Sequence, residues 1–284
     1  MNNRLVRYLH QVRRTQRINM ALARGAAASA LRQVDLTDPG SWEFSGFSQN
    51  GEDGILDVLT RRIIAPNRYF VEIGTSDGLE NNTTWLSLVR RFGGIQVEGD
   101  QTASEWCKYT FAPLNYGAES VCMFVTRESA AELTGLALYR NPDVFSLDID
   151  GNDYHVMKAV LDSGMRPKIV VVEYNSAYGP EMKVSIPYRE DFRITRAHKD
   201  DLYYGCSLGG WKALFSKHGY RFVTVDMNGV NAFFVDPEEF DADFIGAVKG
   251  REFAENFSQA REYRSSWQQQ YELIRDREFV EVTA

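Results

Sequence analysis

The chain has 284 residues, 44% apolar and 25% charged, with a formal net charge of −7 and a pI near 5.3. Those values suit one large soluble domain, or one domain with extensions, and disfavour a general nucleic-acid binder. No apolar run approaches the roughly 20 residues that cross a bilayer, and Cys107, Cys122 and Cys206 have no metal-like spacing, so free thiols in a reducing cytoplasm are expected.

Residues 1–34 hold seven arginines and no acid, which leaves −14 on the remainder against the total of −7. Leu5, Leu9 and Val12 fall at i, i+4, i+7, the spacing of one apolar helical face. Three readings of this basic helical arm stay open: packing or homo-oligomer contact, a peripheral anchor on anionic lipid at the inner membrane surface, and an organellar presequence. Asp38-Pro39-Gly40 gives turn chemistry to a linker, so residues 1–47 read as arm and linker, 48–250 as the main domain and 251–284 as a C-terminal helix.

Within the main domain a helix is predicted over about 50–63, a strand over 69–73, a helix over 81–91 and a strand over 94–98. A short helix near Trp106–Tyr109 and a strand over 121–125 follow. Asp143 to Asp150 reads as a strand, Asp153 to Leu161 as a helix, and the β-branched run Lys168-Ile-Val-Val-Val-Glu173 as a buried parallel strand. Residues 174–200 form a long polar stretch. A helix over 208–218 precedes runs at 221–225 and 230–235, which Asp226-Met-Asn-Gly229 joins as a hairpin. The alternation implies an α/β fold, a doubly wound and mostly parallel sheet closed by a C-terminal antiparallel pair.

Chemistry concentrates at the strand ends. Tyr69-Phe-Val-Glu-Ile-Gly-Thr-Ser-Asp-Gly78 is a strand carrying one acid, Glu72, that enters a glycine-bearing turn. Such a turn lets backbone approach a ligand that a Cβ would hold off. Ser76 replaces the second glycine of a dinucleotide fingerprint, and Asp77 and Glu80 would repel a pyrophosphate while suiting a cationic cofactor. Glu98, twenty residues beyond Gly78, can accept both hydroxyls of a ribose. S-adenosylmethionine fits this set better than NAD. Asp148, Asp150 and Asp153 end the next strand and Glu173 ends the one after. In a parallel sheet these acids converge, and they need donors, protons or a cation. Asp148 and Asp150, two apart, are expected on one face of their strand. Oxygen ligands favour Mg²⁺, Mn²⁺ or Ca²⁺ over zinc.

Taken together, these segments resemble the class I S-adenosylmethionine-dependent methyltransferases, and within them the FkbM-type family. The likeness runs over about residues 48–180. It rests on Val71 to Gly78, on Glu98, on Leu147-Asp-Ile-Asp-Gly-Asn-Asp153 and on Ile169 to Glu173. Leu147 stands where the family has lysine, Asp150 where it has glutamate and Gly99 where it has proline, the mark of a divergent branch. The resemblance implies a Rossmann-like fold and O-methylation of a sugar or polar natural-product hydroxyl. It places Glu72, Gly74, Ser76 and Gly78 at the methionine end of the cofactor, Glu98 at the ribose and Asp100 near the adenine. Asp148, Asp150, Asp153 and Glu173 would form the catalytic edge, with or without Mg²⁺ or Mn²⁺.

His155 is the best-placed imidazole for a general base, and His198 could approach from the polar stretch. Tyr174, Tyr178, Tyr203 and Tyr204 could wall a glycan or small-molecule acceptor. Two rival readings remain. Asp148-Ile-Asp150 looks like the aspartate motif of haloacid-dehalogenase-type phosphatases, which aryl-phosphate hydrolysis would reveal. A non-catalytic nucleotide-binding scaffold would bind cofactor without turnover.

Overall fold

The computed structural model describes residues 3–194 and 201–283. Its helices and strands, in chain order, are α1 (Asn3–Leu31), α2 (Glu52–Thr60), β1 (Tyr69–Ile73), α3 (Thr84–Leu88), β2 (Gly93–Glu98), α4 (Gln101–Phe111), β3 (Ala118–Cys122), α5 (Ala130–Leu136) and β4 (Val144–Leu147). There follow α6 (Asp153–Asp162), β5 (Ile169–Glu173), β6 (Val184–Ser185), α7 (Leu208–Lys217), β7 (Arg221–Val225), β8 (Asn231–Val235), α8 (Ala242–Ala247), α9 (Phe257–Tyr263), α10 (Trp267–Ile274) and β9 (Val280–Glu281).

Seven strands make one sheet in the order β3-β2-β1-β4-β5-β8-β7. β1 to β5 are mutually parallel, and β8 runs antiparallel to both β5 and β7. This is the doubly wound, mostly parallel sheet closed by a C-terminal antiparallel pair that the sequence implies. β6 and β9 form a separate antiparallel pair. The sheet is covered on both faces, because alternate residues point to opposite sides. Val71, Ile73, Phe145, Leu147, Val170 and Val172 pack with Val156, Val160, Trp211 and Phe215 of α6 and α7. Phe70, Val144, Ile169 and Val171 pack the other way, with Ile55, Leu56 and Leu59 of α2. Among the described residues no helix is long and apolar enough to cross a membrane.

The arm lies against its own domain. Its packed stripe is Ile18, Ala21, Leu22 and Ala28, set on Phe44, Phe47 and Trp85. Leu9 and Val12, from the face expected to be apolar, are exposed instead. Gly25 lets α1 approach, since a Cβ there would stand 2.4 Å from the Trp85 ring. Arg32 closes the other end on Asp57 at 2.6 Å and on the Trp42 carbonyl.

Several boundaries depart from expectation. β4 stops at Leu147, and Asp150 turns left-handed at φ 53°, so the alternation expected of Asp148 and Asp150 within a strand does not apply. β3 covers 118–122 rather than 121–125, which frees Met123 to Val125 as a loop. The C-terminal segment is not one helix: Arg264, left-handed at φ 50°, ends α9, and the Ser266–Gln269 capping box starts α10.

At the N-terminal edge of the sheet, Lys168 is buried with its ammonium 2.8 Å from Asp143, whose oxygens also accept the Asn67 and Arg68 N–H groups. Removing one partner of such a pair leaves an uncompensated buried charge. Lys168→Ala should cost about 3–5 kcal/mol in urea denaturation; a loss below about 1 kcal/mol would show that the pair is not needed.

Candidate functional site

Strand order reverses between β1 and β4, and there the C-terminal strand ends open a crevice. Gly74 and Ser76 follow β1, Glu98 ends β2 and Gly99 and Asp100 follow it, Met123 to Val125 follow β3, and Asp148 to Asp150 follow β4. All line one cavity of about 640 Å³. Gln49, Phe192 and Arg193 complete its wall. A smaller polar cavity of about 90 Å³ adjoins it, sharing Gln49, Gly74, Glu80 and Asp148 and adding Glu52, Glu72, Asn81, Asn82 and Asn231. A third hollow, about 470 Å³ between α1 and α4, presents Ile18, Leu22, Leu88 and Leu114 and no carboxylate, thiol or imidazole.

The two glycines of the first loop serve the protein before any ligand. Gly74 sits at φ 86°, and a Cβ there would lie 1.6 Å from the Asp148 carbonyl oxygen. Gly78, at φ 78°, faces Phe111 and Cys107, which a Cβ would meet at 2.5 and 2.9 Å, and it lines neither strand-end cavity. Ser76 holds a left-handed φ of 48° and donates its N–H to Glu98 at 2.6 Å. The other Glu98 oxygen accepts the Asp100 N–H at 2.8 Å. Asp100 lines the cavity and also N-caps α4 through the Ala103 N–H.

Glu72 is buried and engages the following loop, accepting from Asn81 Nδ2 and the Asn82 N–H, each at 2.8 Å, and from Thr83. Burial raises its pKa despite those donors. Asp77 and Glu80 are not bare acids: Arg14 reaches Asp77 at 2.6 Å and Arg17 reaches Glu80 at 2.7 Å. Much of the loop's apparent attraction for a cation is therefore met from within the chain.

Asp148, Asp150 and Glu173 do converge. Each offers an oxygen within 4.8 Å of the others, and all three are half-buried. Burial first, then the neighbouring carboxylates, raises the pKa of Asp148 and Glu173 well above the ordinary range. Glu173 Oε2 is buried without a hydrogen-bond partner among the described residues. Asp153 does not join them. Its carboxylate folds back onto the Ile149 and Gly151 N–H groups at 2.9 and 2.7 Å, and burial lifts its pKa to about 6. His155 is not among the residues lining either strand-end cavity. Its Nε2 pairs with the Ile186 carbonyl at 2.8 Å between the Tyr154 and Tyr188 rings, and burial lowers its pKa. His198 lies outside the described residues. The four tyrosines line neither cavity; Tyr174 and Tyr178 spend their hydroxyls on the Ala254 and Tyr204 carbonyls.

Sequence reasoning passed over Gln49, Phe124 and Ile149. Phe124 was hidden inside an over-extended strand, and Ile149 reads as core by composition. Gln49 enters from before α2 and carries no local signal.

No family model matches the chain, and no curated relative matches it. Solved structures similar to it include an O-methyltransferase from Bacillus cereus in complex with SAH, at 15% identity and TM-score 0.42 over 77% of this chain and 89% of that one. Others are an S-adenosylhomocysteine complex of a SAM-dependent methyltransferase from Thiobacillus denitrificans (12%, 0.37, 69% and 70%) and the SAH-bound Podospora anserina methyltransferase PaMTH1 (12%, 0.39, 59% and 71%). At these values the likeness is loose and bears on nothing beyond the fold.

The carboxylate trio makes stability depend on pH. Their raised pKa values mean that Asp148 and Glu173 keep protons in the folded chain to higher pH than in the unfolded chain. That contribution is full below the ordinary values of 3.8 and 4.5 and is lost as pH rises through the raised folded values. Without divalent cations, stability should fall from about pH 4 toward neutrality by about 1.4 kcal/mol per pH unit for each extra proton held. The Asp148→Asn/Glu173→Gln variant should show a flatter profile in denaturant titrations; equal slopes would mean that the two carboxyls titrate normally.

Proposed function

We propose that the chain is an S-adenosylmethionine-dependent O-methyltransferase of the FkbM type, acting on a hydroxyl of a sugar or polar natural product. The observation that carries this reading is a single cavity wall that joins the ribose-type acid Glu98 to the carboxylates Asp148 and Asp150. Bound there, the cofactor would supply a methyl group on a positively charged sulfur.

The residues suit each part of such a ligand. Each Glu98 oxygen already accepts one N–H and keeps a lone pair for a ribose hydroxyl. Met123, Phe124, Val125 and Ile149 offer apolar surface to a planar base. The smaller cavity, with Glu80 and the Asn231 side-chain amide oxygen, suits an ammonium group such as the methionine end carries.

Acceptor chemistry falls to the trio. A sugar hydroxyl is a weak nucleophile at neutral pH, and its proton must be taken as it meets the methyl group at about 3 Å. A carboxylate whose pKa is raised is a stronger base than an ordinary one, which favours Asp148, with Asp150 beside it. Asp148, Asp150 and Glu173 would also fit Mg²⁺ or Mn²⁺: the set is all oxygen, and Glu173 Oε2 has no other partner. A cation held there would lower the acceptor's pKa.

The test is transfer of a labelled methyl group from S-adenosylmethionine to a panel of glycosides and polyols, with and without Mg²⁺. Asp148→Asn should lower kcat about 100-fold or more while cofactor affinity changes little. Glu98→Ala should instead raise the cofactor KM roughly ten-fold. Cofactor binding with no transfer to any acceptor would favour the scaffold reading, and unaltered turnover in Asp148→Asn would remove that residue from catalysis.

A further inference from the structure

Arg14 reaches the cofactor loop from the far end of the sequence. It is 8% exposed, and one guanidinium meets four groups on two elements. Nη1 donates to Asp77 Oδ2 at 2.6 Å and Nη2 to the Asp77 carbonyl at 2.7 Å. Nη2 also reaches Thr110 Oγ1 and, at 3.4 Å, the Trp106 carbonyl, while the guanidinium lies over the Trp106 ring at 5.4 Å. Asp77 belongs to the loop after β1. Thr110 and Trp106 belong to α4, the helix that follows Glu98 and Asp100. One side chain thus ties the loop after β1, which carries Ser76, to the helix that Asp100 caps.

The loop needs such a tie. Ser76, next to Asp77, is held in the left-handed region with its N–H on Glu98, a conformation costly for a residue with a side chain. Asp77 shares its loop and its Arg17 neighbour with a second acid, Glu80, so without Arg14 its charge would be less fully met. Arg17 adds a weaker, exposed contact at 3.4 Å. The rest of α1 is anchored elsewhere, by Arg24 on the Gly46 carbonyl and by Arg32 on Asp57. The arm would therefore stay docked if the Arg14 contact were removed.

We infer that Arg14 is a positioning residue of the cofactor site: through Asp77 it sets the Ser76–Glu98 geometry, so that the basic arm determines cofactor affinity without touching the cofactor. This rests on the proposed methyltransferase reading.

The experiment is a double-mutant cycle in the full-length chain. Arg14→Ala, Asp77→Asn and their combination are titrated calorimetrically with S-adenosylhomocysteine, beside Arg14→Lys and Arg24→Ala, and each is also melted thermally. Each single change of the pair should weaken binding roughly ten-fold, within the usual range of coupling between sites. The double variant should be no weaker than the worse single. Arg14→Lys, which restores charge but not the two-pronged bond, should recover part of the loss. Arg24→Ala should lower the melting temperature and leave affinity within about two-fold, since its contact lies away from the loop. Wild-type affinity in Arg14→Ala and Asp77→Asn would overturn the inference alone, as would an Arg24→Ala loss equal to that of Arg14→Ala. Failure of the wild-type chain to bind would overturn the methyltransferase reading and this inference with it. If Arg14→Ala does not fold, the near-isosteric Asp77→Asn decides the matter.

Discussion

The contact on which the site depends is the crossing of two backbones. β1 and β4 are neighbours, Ile73 beside Leu147, and the chain leaves both at the same edge. Gly74 turns away at φ 86°, so close to the Asp148 carbonyl that no side chain could stand between. That crossing fixes where the loop after β1 begins and where the carboxylates after β4 begin. The cavity, the Glu98 contact with Ser76 and the placement of Asp148 beside Glu173 all follow from it.

Around the crossing the sheet gathers negative charge, and the chain disposes of it unevenly. Glu72 is met by Asn81, Asn82 and Thr83, Glu98 by two backbone N–H groups, and Asp153 by two more. Asp77 and Glu80 are met by arginines of the arm. Asp148, Asp150 and Glu173 stand within 4.8 Å of one another, and Glu173 Oε2 is buried with no hydrogen-bond partner among the described residues. Carboxylates crowded at a pocket raise one another's pKa, and here the crowding falls on three groups rather than being spread. Three such carboxylates can act by taking a proton or by holding a cation, and both suit activation of a hydroxyl.

The parts legible in the sequence are those whose signal is local. The β-branched run of β5, the strand before Gly74, the hairpin of β7 and β8, and the Asp153 start of α6 are all written in contiguous residues. The convergence of Asp148, Asp150 and Glu173 was legible too, because parallel strands must end on one edge. What was not legible depends on partners far along the chain. Gly74 and Gly78 read as openings for a ligand, whereas their immediate neighbours are the Asp148 carbonyl and the Phe111 ring. Asp77 and Glu80 read as unpaired because Arg14 and Arg17 lie about sixty positions away. His155 has the right chemistry but points to the distant Ile186 carbonyl, while Asp153 turns back locally onto the N–H groups of Ile149 and Gly151. α5 and α8, at 7 and 6 residues, are too short for periodicity to declare them.

The central claim is that the crevice between β1 and β4 is built for an adenosine cofactor bearing a sulfur-linked amino acid. Calorimetric titration of the wild-type chain with S-adenosylhomocysteine, with NAD⁺ as the comparison, tests it most directly. The account predicts one-to-one binding of S-adenosylhomocysteine and no heat from NAD⁺. Absence of S-adenosylhomocysteine binding, with or without Mg²⁺, would contradict it.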